Sequence, residues 1–367
     1  MRLSLSQSRE SKPLIFFRFS NIQNVLKNFE ASPKEFLYGT DSLIKEKKID
    51  FKFVAKGKRF NLLRKLLIFV EKPMTKIYFL GMPLEVVLEN LKKCREAKFI
   101  FAVNDAISFA ILLSKKIGLI DTPVVTLFQS LSERHLSRFR RNRLAKWFIT
   151  FLIKESDYVL ALSQSSLIEL KKNFITTDCK TGVFYFGVDN TFWKPSENKN
   201  RDEYILSIGN DSNRDFDTLL NAVGSGYKVK IITSKKIDNK SSNIEVLSAL
   251  SDSEVREAYQ KAKLVVVPSQ KVMTEASGLS CTLQSMACGT PVIVSDSLPM
   301  REFFGKDEAV AFFEPENAIH LRQVIDDILS CDEKWEHFSE SGKVSIQRKF
   351  NTIEMEGQVL SLYEYFN

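Results

Sequence analysis

The chain has 367 residues, a length that favours two domains of similar size over one large domain. Hydrophobic residues make up 44% of it and charged residues 27%, a balance typical of globular proteins that excludes disordered, collagen-like and membrane-spanning chains. The longest apolar stretches, near 97–113 and 147–153, are too short or are interrupted by polar residues, so we expect no transmembrane helix.

The first residues and the cysteines indicate a compartment. The opening MRLSLSQSRESKP lacks the apolar core of a secretory signal, so we expect a cytoplasmic protein. The five cysteines are odd in number and form no CxxC pair, and the three histidines are scattered along the chain. We therefore expect neither a disulfide framework nor a metal site.

Charge is distributed unevenly along the chain. Residues 1–195 contain 34 Lys and Arg against 18 Asp and Glu, a net charge of +16, whereas residues 196–367 contain 19 against 27, a net charge of −8. A basic half suggests a polyanionic partner, either nucleic acid or the anionic leaflet of a membrane. The alternative is a lysine-rich surface that only keeps the protein in solution.

Short apolar runs alternate with helical patterns throughout, which predicts βα units with parallel sheets. Strands are predicted in the first half at 13–19, 50–54, 76–80, 99–103, 123–128, 157–162 and 182–186. In the second half they are predicted at 204–208, 228–232, 243–247, 263–268 and 291–295. Helices are predicted at 83–94, 106–118, 253–262, 333–347 and 352–366. The fold class is therefore α/β, with two doubly wound domains.

The predicted domain boundary lies at WKPSENKNRDE, residues 193–203, where a proline and a charged run separate the two series of strands. We assign residues 1–193 to an N-terminal domain and 194–347 to a C-terminal domain. The remaining segment, 348–367, carries a helix with an apolar face that needs a docking surface.

The segment with most chemical information is 268–296. Pro268 ends a buried strand, Gly278 permits positive φ or close backbone approach, and a helix follows from about residue 279. A glycine loop that leads into a helix at the carboxyl end of a parallel strand binds anions, because unpaired N–H groups and the helix dipole point at the ligand. A phosphate or pyrophosphate is the expected ligand.

Several segments resemble the retaining glycosyltransferases of the GT-B fold, in particular the GT4-like group, the glycosyl transferases group 1. The resemblance is strongest at QSMACGTPVIVSD (284–296). It extends to DYVLALSQSSLIELKKNF (157–174), VFYFGVDNTFWKP (183–195), YILSIGNDSNRDFDTLLNAV (204–223) and SLPMREFF (297–304), which places Glu302 at an acidic position of the family. It implies two Rossmann-like domains that face a cleft, with the C-terminal helix returning to the N-terminal domain.

The resemblance also implies site residues. Glu275 takes the catalytic position, provided that its loop holds one extra residue, and would hold sugar hydroxyls. Gln284 stands where the family has a carboxylate, and Asn210 where an arginine is common, which leaves Arg214 as the nearby cation. The donor-binding set is Asn210, Arg214, Gly278, Leu279, Ser280 and Gln284. The cleft or acceptor set is Asp105, Gln129 and His135.

The activity implied is transfer of a sugar from a UDP- or GDP-linked donor to a glycan or lipid-linked acceptor, with retention, in synthesis of a cell-surface polysaccharide or glycolipid. The C-terminal domain would hold the donor, and the donor is a substrate, so we expect no separate cofactor. Two alternatives stay open. One is a sugar-nucleotide epimerase on the same fold, and the other is a non-catalytic subunit that binds a glycan or scaffolds a partner.

The segment 135–157 resembles a basic amphipathic helix that lies on a membrane surface. Its expected membrane-facing residues are Arg138, Arg140, Arg141, Arg143 and Trp147. This would place the protein at the periphery of the inner face of the membrane. The alternative is a helix whose apolar face packs on the sheet. No nucleic-acid partner is expected, because no recognised nucleic-acid-binding motif accompanies the charge.

Overall fold

The computed structural model describes residues 11–18, 22–54, 72, 75, 81–175, 179–198, 200–238 and 241–366. The strand predicted at 76–80 lies outside these residues. The described chain forms two six-stranded sheets in which every pair of neighbouring strands is parallel. The predicted α/β class with two doubly wound, Rossmann-like domains is therefore confirmed.

The first sheet has the strand order β2-β1-β3-β4-β5-β6. Its strands are β1 Leu14–Arg18, β2 Asp50–Val54, β3 Ile100–Ala102, β4 Val124–Phe128, β5 Tyr158–Ala161 and β6 Lys180–Val183. The helices of this half are α1 Ile22–Lys27, α2 Asp41–Lys45, α3 Leu84–Glu89, α4 Leu91–Glu96, α5 Asp105–Lys116, α6 Leu131–Arg134, α7 Arg143–Ile153 and α8 Gln164–Asn173. A 3₁₀ turn at Glu35–Leu37 and a π-helical turn at His135–Phe139 complete it.

The second sheet has the order β12-β11-β10-β7-β8-β9. Its strands are β7 Asp202–Ile208, β8 Val229–Ile232, β9 Ile244–Leu247, β10 Ala262–Val267, β11 Val292–Ser295 and β12 Ala311–Phe313. The helices are α9 Phe216–Val223, α10 Asp252–Lys261, α11 Leu279–Ala287, α12 Leu298–Phe304, α13 Ala318–Leu329, α14 Asp332–Arg348 and α15 Thr352–Tyr365.

Local sequence explains these elements. Every residue of β3, β4 and β11 is buried, as expected of parallel strands that are covered on both faces. Helices begin at polar caps: Asn104 accepts a hydrogen bond from the Ile107 N–H, and Ser251 forms a capping box with Glu254. Such caps satisfy N–H groups that the first helical turn leaves unpaired.

The structure differs from the predicted elements in several places. The strand predicted at 182–186 lies at Lys180–Val183, and Phe184 and Phe186 instead enter the core beyond its end. The helix predicted at 83–94 is interrupted at Asn90, whose side chain bonds back to the Val86 carbonyl. Strand β12 was not predicted, because three residues are too few for a periodic pattern.

The chain passes between the sheets near residues 184–195 and 347–351, where the Val188 N–H donates to the Phe350 carbonyl. Helix α15 then lies against the first sheet. Phe366, just after it, stacks on Phe99 with 5.0 Å between ring centroids, and Tyr365 packs edge-on against Tyr158. In the described part of the chain, no helix combines the length and apolar character needed to cross a bilayer.

Candidate active site

Gly278 starts helix α11 at the carboxyl end of β10. Its φ of +80° is left-handed, and a Cβ added there would overlap Val267 and lie 2.8 Å from Arg214 Nη1. Only glycine allows the helix to begin this close to the strand. The positive φ, the close approach and the helix start expected from the sequence are all present. Leu279 and Ser280 form its first turn.

Arg214 is buried beside this helix N-terminus. Its side chain pairs through Nη2 with Asp211 Oδ2 at 3.0 Å, and it lies so close to Gly209 that a Cβ there would overlap the guanidinium. Nε and Nη1 are buried and have no hydrogen-bond partner among the described residues. Because a guanidinium keeps its charge when buried, two donors of a fixed cation remain available to an anion.

A second cation, Lys235, lies near Arg214, contrary to the expectation that Arg214 stands alone. Lys235 Nζ donates to the Arg214 carbonyl at 3.3 Å. Asn210, on the exposed surface, holds this loop: its Oδ1 accepts from the Ser234 N–H at 2.6 Å and from Thr233 Oγ1 at 3.1 Å. Asn210 therefore organises the turn that carries the lysine. Sequence gave no signal for Lys235, which follows a different strand, β8.

Glu275 lies half-buried in the loop before Gly278, where Asn213 Nδ2 donates to its Oε2 at 3.1 Å. Burial, together with the negative charges of Asp105, Glu133 and Asp211, raises the pKa of Glu275 to about 7, although the positive charge of Arg134 opposes the shift. Asp105 and Glu133 belong to the first domain. Glu275 is therefore set at the junction of the domains among carboxylates, and it is partly protonated near neutral pH.

Asp105 and Gln129 lie together on the opposite side of this junction. The Asp105 carboxylate accepts from the Gln129 N–H at 2.7 Å and from Ser130 Oγ at 3.0 Å. Gln129 Nε2 donates to Tyr38 Oη at 2.7 Å and to the Val103 carbonyl at 2.5 Å. Each of the two predicted cleft residues is thus held in place by the first domain.

His135 was expected to line the cleft, and this expectation is wrong. Its ring is 2% exposed and packs edge-on against Phe139 and Phe174, with centroids 5.3 and 4.9 Å away. Burial lowers its pKa, and Glu169, 3.7 Å from Nδ1, opposes this shift. The π-helical turn His135–Phe139 places its first and last residues inward, so the histidine joins the core of the first domain.

Gln284 links the two domains. Its Nε2 donates to Glu35 Oε1 at 3.0 Å, and its Oε1 accepts from Tyr259 Oη at 3.2 Å. Glu35 Oε1 also accepts from Trp193 Nε1 at 2.8 Å. Burial raises the pKa of Glu35 to about 7. A carboxylate at position 284 would face that of Glu35, so this contact requires the amide. Glu35 was missed because it lies 249 residues away in sequence.

The basic segment 135–157 is not one continuous α-helix. Arg138 lies in the π-helical turn, Arg140 and Arg141 follow it, and α7 begins at Arg143 after the Asn142 cap. All four arginines are exposed, and Trp147 is 60% exposed and stacks on Phe151. The opposite face of α7, with Ala145, Ile149 and Leu152, is buried. One face therefore packs on the domain while another presents an indole to solvent.

Within the part of the chain that the structure describes, no group of three or more His, Cys, Asp or Glu side chains could hold a metal ion. What the site does bring together is a buried arginine, a helix N-terminus, a nearby lysine and a carboxylate with a raised pKa. This arrangement can bind an anion next to a group that accepts or donates hydrogen bonds to hydroxyls.

Comparisons with known proteins show which family and fold this chain resembles. Residues 193–345 match the family model described as Glycosyl transferases group 1. No curated protein sequence matched the chain.

Among solved structures, sucrose-phosphate synthase from Thermosynechococcus elongatus is similar, with a TM-score of 0.71 and 14% identity over 96% of this chain and 98% of that one. HepE from Anabaena, in complex with UDP-glucose, has a TM-score of 0.71 and 14% identity over 97% of this chain and 100% of that one. A glycosyltransferase from Rickettsia africae has a TM-score of 0.62 and 15% identity over 98% of this chain and 99% of that one. The described part of the chain therefore has the GT-B fold, and residues 193–345, which contain Arg214, Glu275 and Gly278, match the glycosyl transferases group 1 family.

Proposed function

We propose that the chain is a glycosyltransferase that moves a hexose from a UDP- or GDP-linked donor to a glycan or lipid-linked acceptor, with retention of anomeric configuration. The pathway would be synthesis of a cell-surface polysaccharide or glycolipid. The observation that carries the proposal is the buried Arg214 guanidinium beside the N-terminus of α11, within the segment that matches the group 1 family. Its Nε and Nη1 have no hydrogen-bond partner in the described part of the chain. HepE, of the same fold, binds UDP-glucose.

The donor diphosphate would lie beside Arg214 and the first turn of α11, which includes Leu279 and Ser280. Departure of a nucleoside diphosphate develops negative charge on its phosphates. Fixed donors in a site shielded from water stabilise that charge without reorganisation during the reaction. Lys235 adds a second positive charge on the loop that Asn210 holds.

Glu275 would bind hydroxyls of the transferred sugar. It lies three residues before Gly278, so a sugar attached to a diphosphate at α11 would extend toward it. Transfer with retention then needs the acceptor oxygen to attack from the face that the diphosphate leaves, which is mainly a matter of positioning. Asp105 and Gln129, fixed in the first domain, face the same junction and would meet the acceptor.

We further propose that the protein binds the anionic inner face of a membrane through the basic surface around Trp147. The exposed arginines at 138, 140, 141 and 143 surround an exposed indole, as in helices that lie at membrane surfaces. A lipid-linked acceptor would then reach the first domain directly from the leaflet.

One observation favours a second candidate, a non-catalytic subunit that binds a glycan or scaffolds a partner. Both ends of the Gln284 amide hydrogen-bond to the protein, to Glu35 and Tyr259, and Asn210 Oδ1 accepts hydrogen bonds from residues 233 and 234. A site built for binding alone could tolerate that. Release of diphosphate from labelled donors separates the two candidates.

The experiment tests Glu275→Gln with a panel of UDP- and GDP-hexoses. We expect turnover to fall about tenfold or more, which corresponds to about 1.4 kcal/mol of transition-state stabilisation. Affinity for the free diphosphate should be unchanged, because the diphosphate lacks the sugar. Glu257→Gln, on the exposed face of α10, is the control and should keep wild-type turnover. Unchanged turnover in Glu275→Gln would remove it from the site, and no turnover of any donor by the wild type would favour the scaffold.

A further inference from the structure

Glu133, at the junction of the domains, makes a contact that the proposed chemistry does not use. It lies on α6 of the first domain and is buried. Its Oε2 accepts from the Met273 N–H at 2.9 Å, the Thr274 N–H at 2.8 Å and Thr274 Oγ1 at 3.2 Å. One carboxylate oxygen thus receives two consecutive backbone N–H groups of the loop that leads to Glu275.

The rest of Thr274 is also held by the first domain. Ser132 Oγ lies 3.0 Å from Thr274 Oγ1, and Ser163 Oγ donates to the Thr274 carbonyl at 3.4 Å. Ser132 is itself fixed by Ser166, at 2.7 Å between the two hydroxyl oxygens. The backbone N–H, carbonyl and hydroxyl of Thr274 therefore all bind residues of the opposite domain.

This contact immediately precedes Glu275. Among the described residues of the first domain, Glu133 accepts three hydrogen bonds from this loop, whereas Ser132 and Ser163 each make one. The Met273 side chain is 54% exposed, so apolar packing of that side chain does not hold the loop down. Glu133 therefore holds the backbone of the two residues that directly precede Glu275.

We propose that Glu133 is a positioning residue: by holding Met273 and Thr274, it fixes the loop across the closed cleft and presents Glu275 to the sugar of the bound donor. This rests on the proposed function of Glu275. The contact forms only when the domains are together, so it couples closure of the cleft to completion of the sugar site. Opening of the cleft releases the loop and lets the donor enter or the product leave.

The charges around Glu275 make its protonation depend on Glu133. Glu275 faces the carboxylates of Asp105 and Glu133 from the first domain and of Asp211 from its own domain. Arg134, from the first domain, is the opposing cation. Removing the Glu133 charge takes away one of three carboxylates that keep the Glu275 proton bound. In Glu133→Gln, the pKa of Glu275 should therefore fall, and the step that it causes in the rate profile should move to lower pH.

The test compares Glu133→Ala and Glu133→Gln with a matched control, Glu302→Ala. Glu302, on α12, makes the same kind of contact between the domains, since its carboxylate accepts from the Gln164 N–H at 2.7 Å and the Ser165 N–H at 2.8 Å. Glu302 makes this contact at the start of α8 and, among its described contacts, binds no residue of the loop 273–275. The glutamine variant keeps an acceptor oxygen and serves if the alanine variant folds poorly.

Two measurements are made on the full chain. Amide hydrogen exchange measures the contact without any ligand. We expect Glu133→Ala to speed exchange at the Met273 and Thr274 amides by about tenfold or more. Glu302→Ala should speed exchange only at the Gln164 and Ser165 amides. Calorimetry reports positioning, with UDP-glucose and GDP-mannose as probes, each against its free diphosphate. Glu133→Ala should bind the free diphosphate as tightly as the wild type but lose the difference in affinity between the nucleotide sugar and the diphosphate. Glu302→Ala should keep both the diphosphate affinity and this difference.

Unchanged exchange at Met273 and Thr274 would show that the contact does not form. If Glu133→Ala exchanges faster at Met273 and Thr274 but still distinguishes the nucleotide sugar from the free diphosphate, the contact has only a structural role. That result would overturn the positioning role. A wild-type protein that binds neither diphosphate nor nucleotide sugar contradicts the proposed function, and the positioning role falls with it. In that case the exchange result still shows whether Glu133 ties the domains together.

Discussion

Glu35 shows how a single buried carboxylate can link two domains. Its Oε1 accepts from Trp193 and Gln284, and its Oε2 is buried without a partner among the described residues. Burial raises the pKa of Glu35 from 4.5 to about 7, and the hydrogen bonds from Gln284 and Trp193 reduce this rise. The folded state therefore binds a proton that the unfolded state releases above its ordinary pKa.

We predict that Glu35 makes stability fall with rising pH. Its contribution is fully present below about pH 4.5 and is lost as pH rises through about 7, with a total on the order of 3 kcal/mol. Glu35→Gln should abolish this decline, so its free energy of unfolding should exceed that of the wild type most at about pH 8. Urea denaturation at about pH 5 and about pH 8 measures the difference.

The control for this prediction is Glu257→Gln, which removes an exposed carboxylate. It should follow the wild-type pH dependence. Glu275 titrates in the same range but is present in all three proteins, so it cancels in the comparison. If the free energy of unfolding of Glu35→Gln changes with pH as that of the wild type does, Glu35 is not the group that makes stability depend on pH.

Individual site residues were predictable only where local sequence dictates them. Gly278 was identified because a glycine between a strand and a helix has few other uses, and Arg214 because it follows a strand end in the resembling segment. Glu35, Glu133 and Lys235 were not identified, because each meets the site only through packing of distant segments. His135 was misplaced for the converse reason: a histidine in a basic segment looks exposed until the π-helical turn buries it.

Among the secondary-structure elements, α7 and the turn before it present the basic surface around Trp147. We predict that liposome binding depends on anionic lipid and falls when Arg138, Arg140, Arg141 and Arg143 are changed to Ser. Each cation near an anionic leaflet contributes on the order of 1 kcal/mol. Binding should also weaken with salt, because the Debye length shrinks from about 10 Å at 0.1 M to about 3 Å at 1 M. Cosedimentation measures both effects.

The matched control removes four exposed lysines elsewhere, Lys92 and Lys93 of α4 with Lys171 and Lys172 of α8. It has the same net charge as the arginine-free variant and should pellet nearly as well as wild type. If the arginine-free variant pellets with liposomes as well as the wild type does, this basic surface does not bind the membrane and is an ordinary solvated face. Binding to neutral liposomes at all salt concentrations would assign the attraction to Trp147 and Leu144, both exposed.

Elements were more predictable than side-chain contacts. Strands such as Val124–Phe128 and Val292–Ser295 are buried on both faces, so their composition alone reveals them. Predicted strand boundaries were wrong where the chain leaves the sheet but its sequence continues to be apolar. Phe184 continues an aromatic run but belongs to the core between the domains. Asn90 interrupts a helical pattern through a side-chain bond to the backbone, which periodicity does not reveal.

For the whole molecule, the two domains are held together around the cleft. The contacts of Glu35 with Gln284, Glu133 with Thr274 and Glu302 with Gln164 all join the first domain to the second, and α15 adds a return connection. Arg214 itself is buried within the second domain, against Gly209, Asp211 and Gly278.

The most direct test of the central claim, that Arg214 binds the donor diphosphate, is calorimetry of UDP and GDP with Arg214→Ala. Loss of charge-assisted hydrogen bonds worth about 1.5–3 kcal/mol should weaken the diphosphate that the wild type binds by about 10- to 100-fold, and leave the free nucleoside unaffected. Arg301→Ala, which removes an exposed arginine paired with Asp296, should bind as the wild type does. Equal diphosphate affinity in Arg214→Ala and wild type would contradict the account.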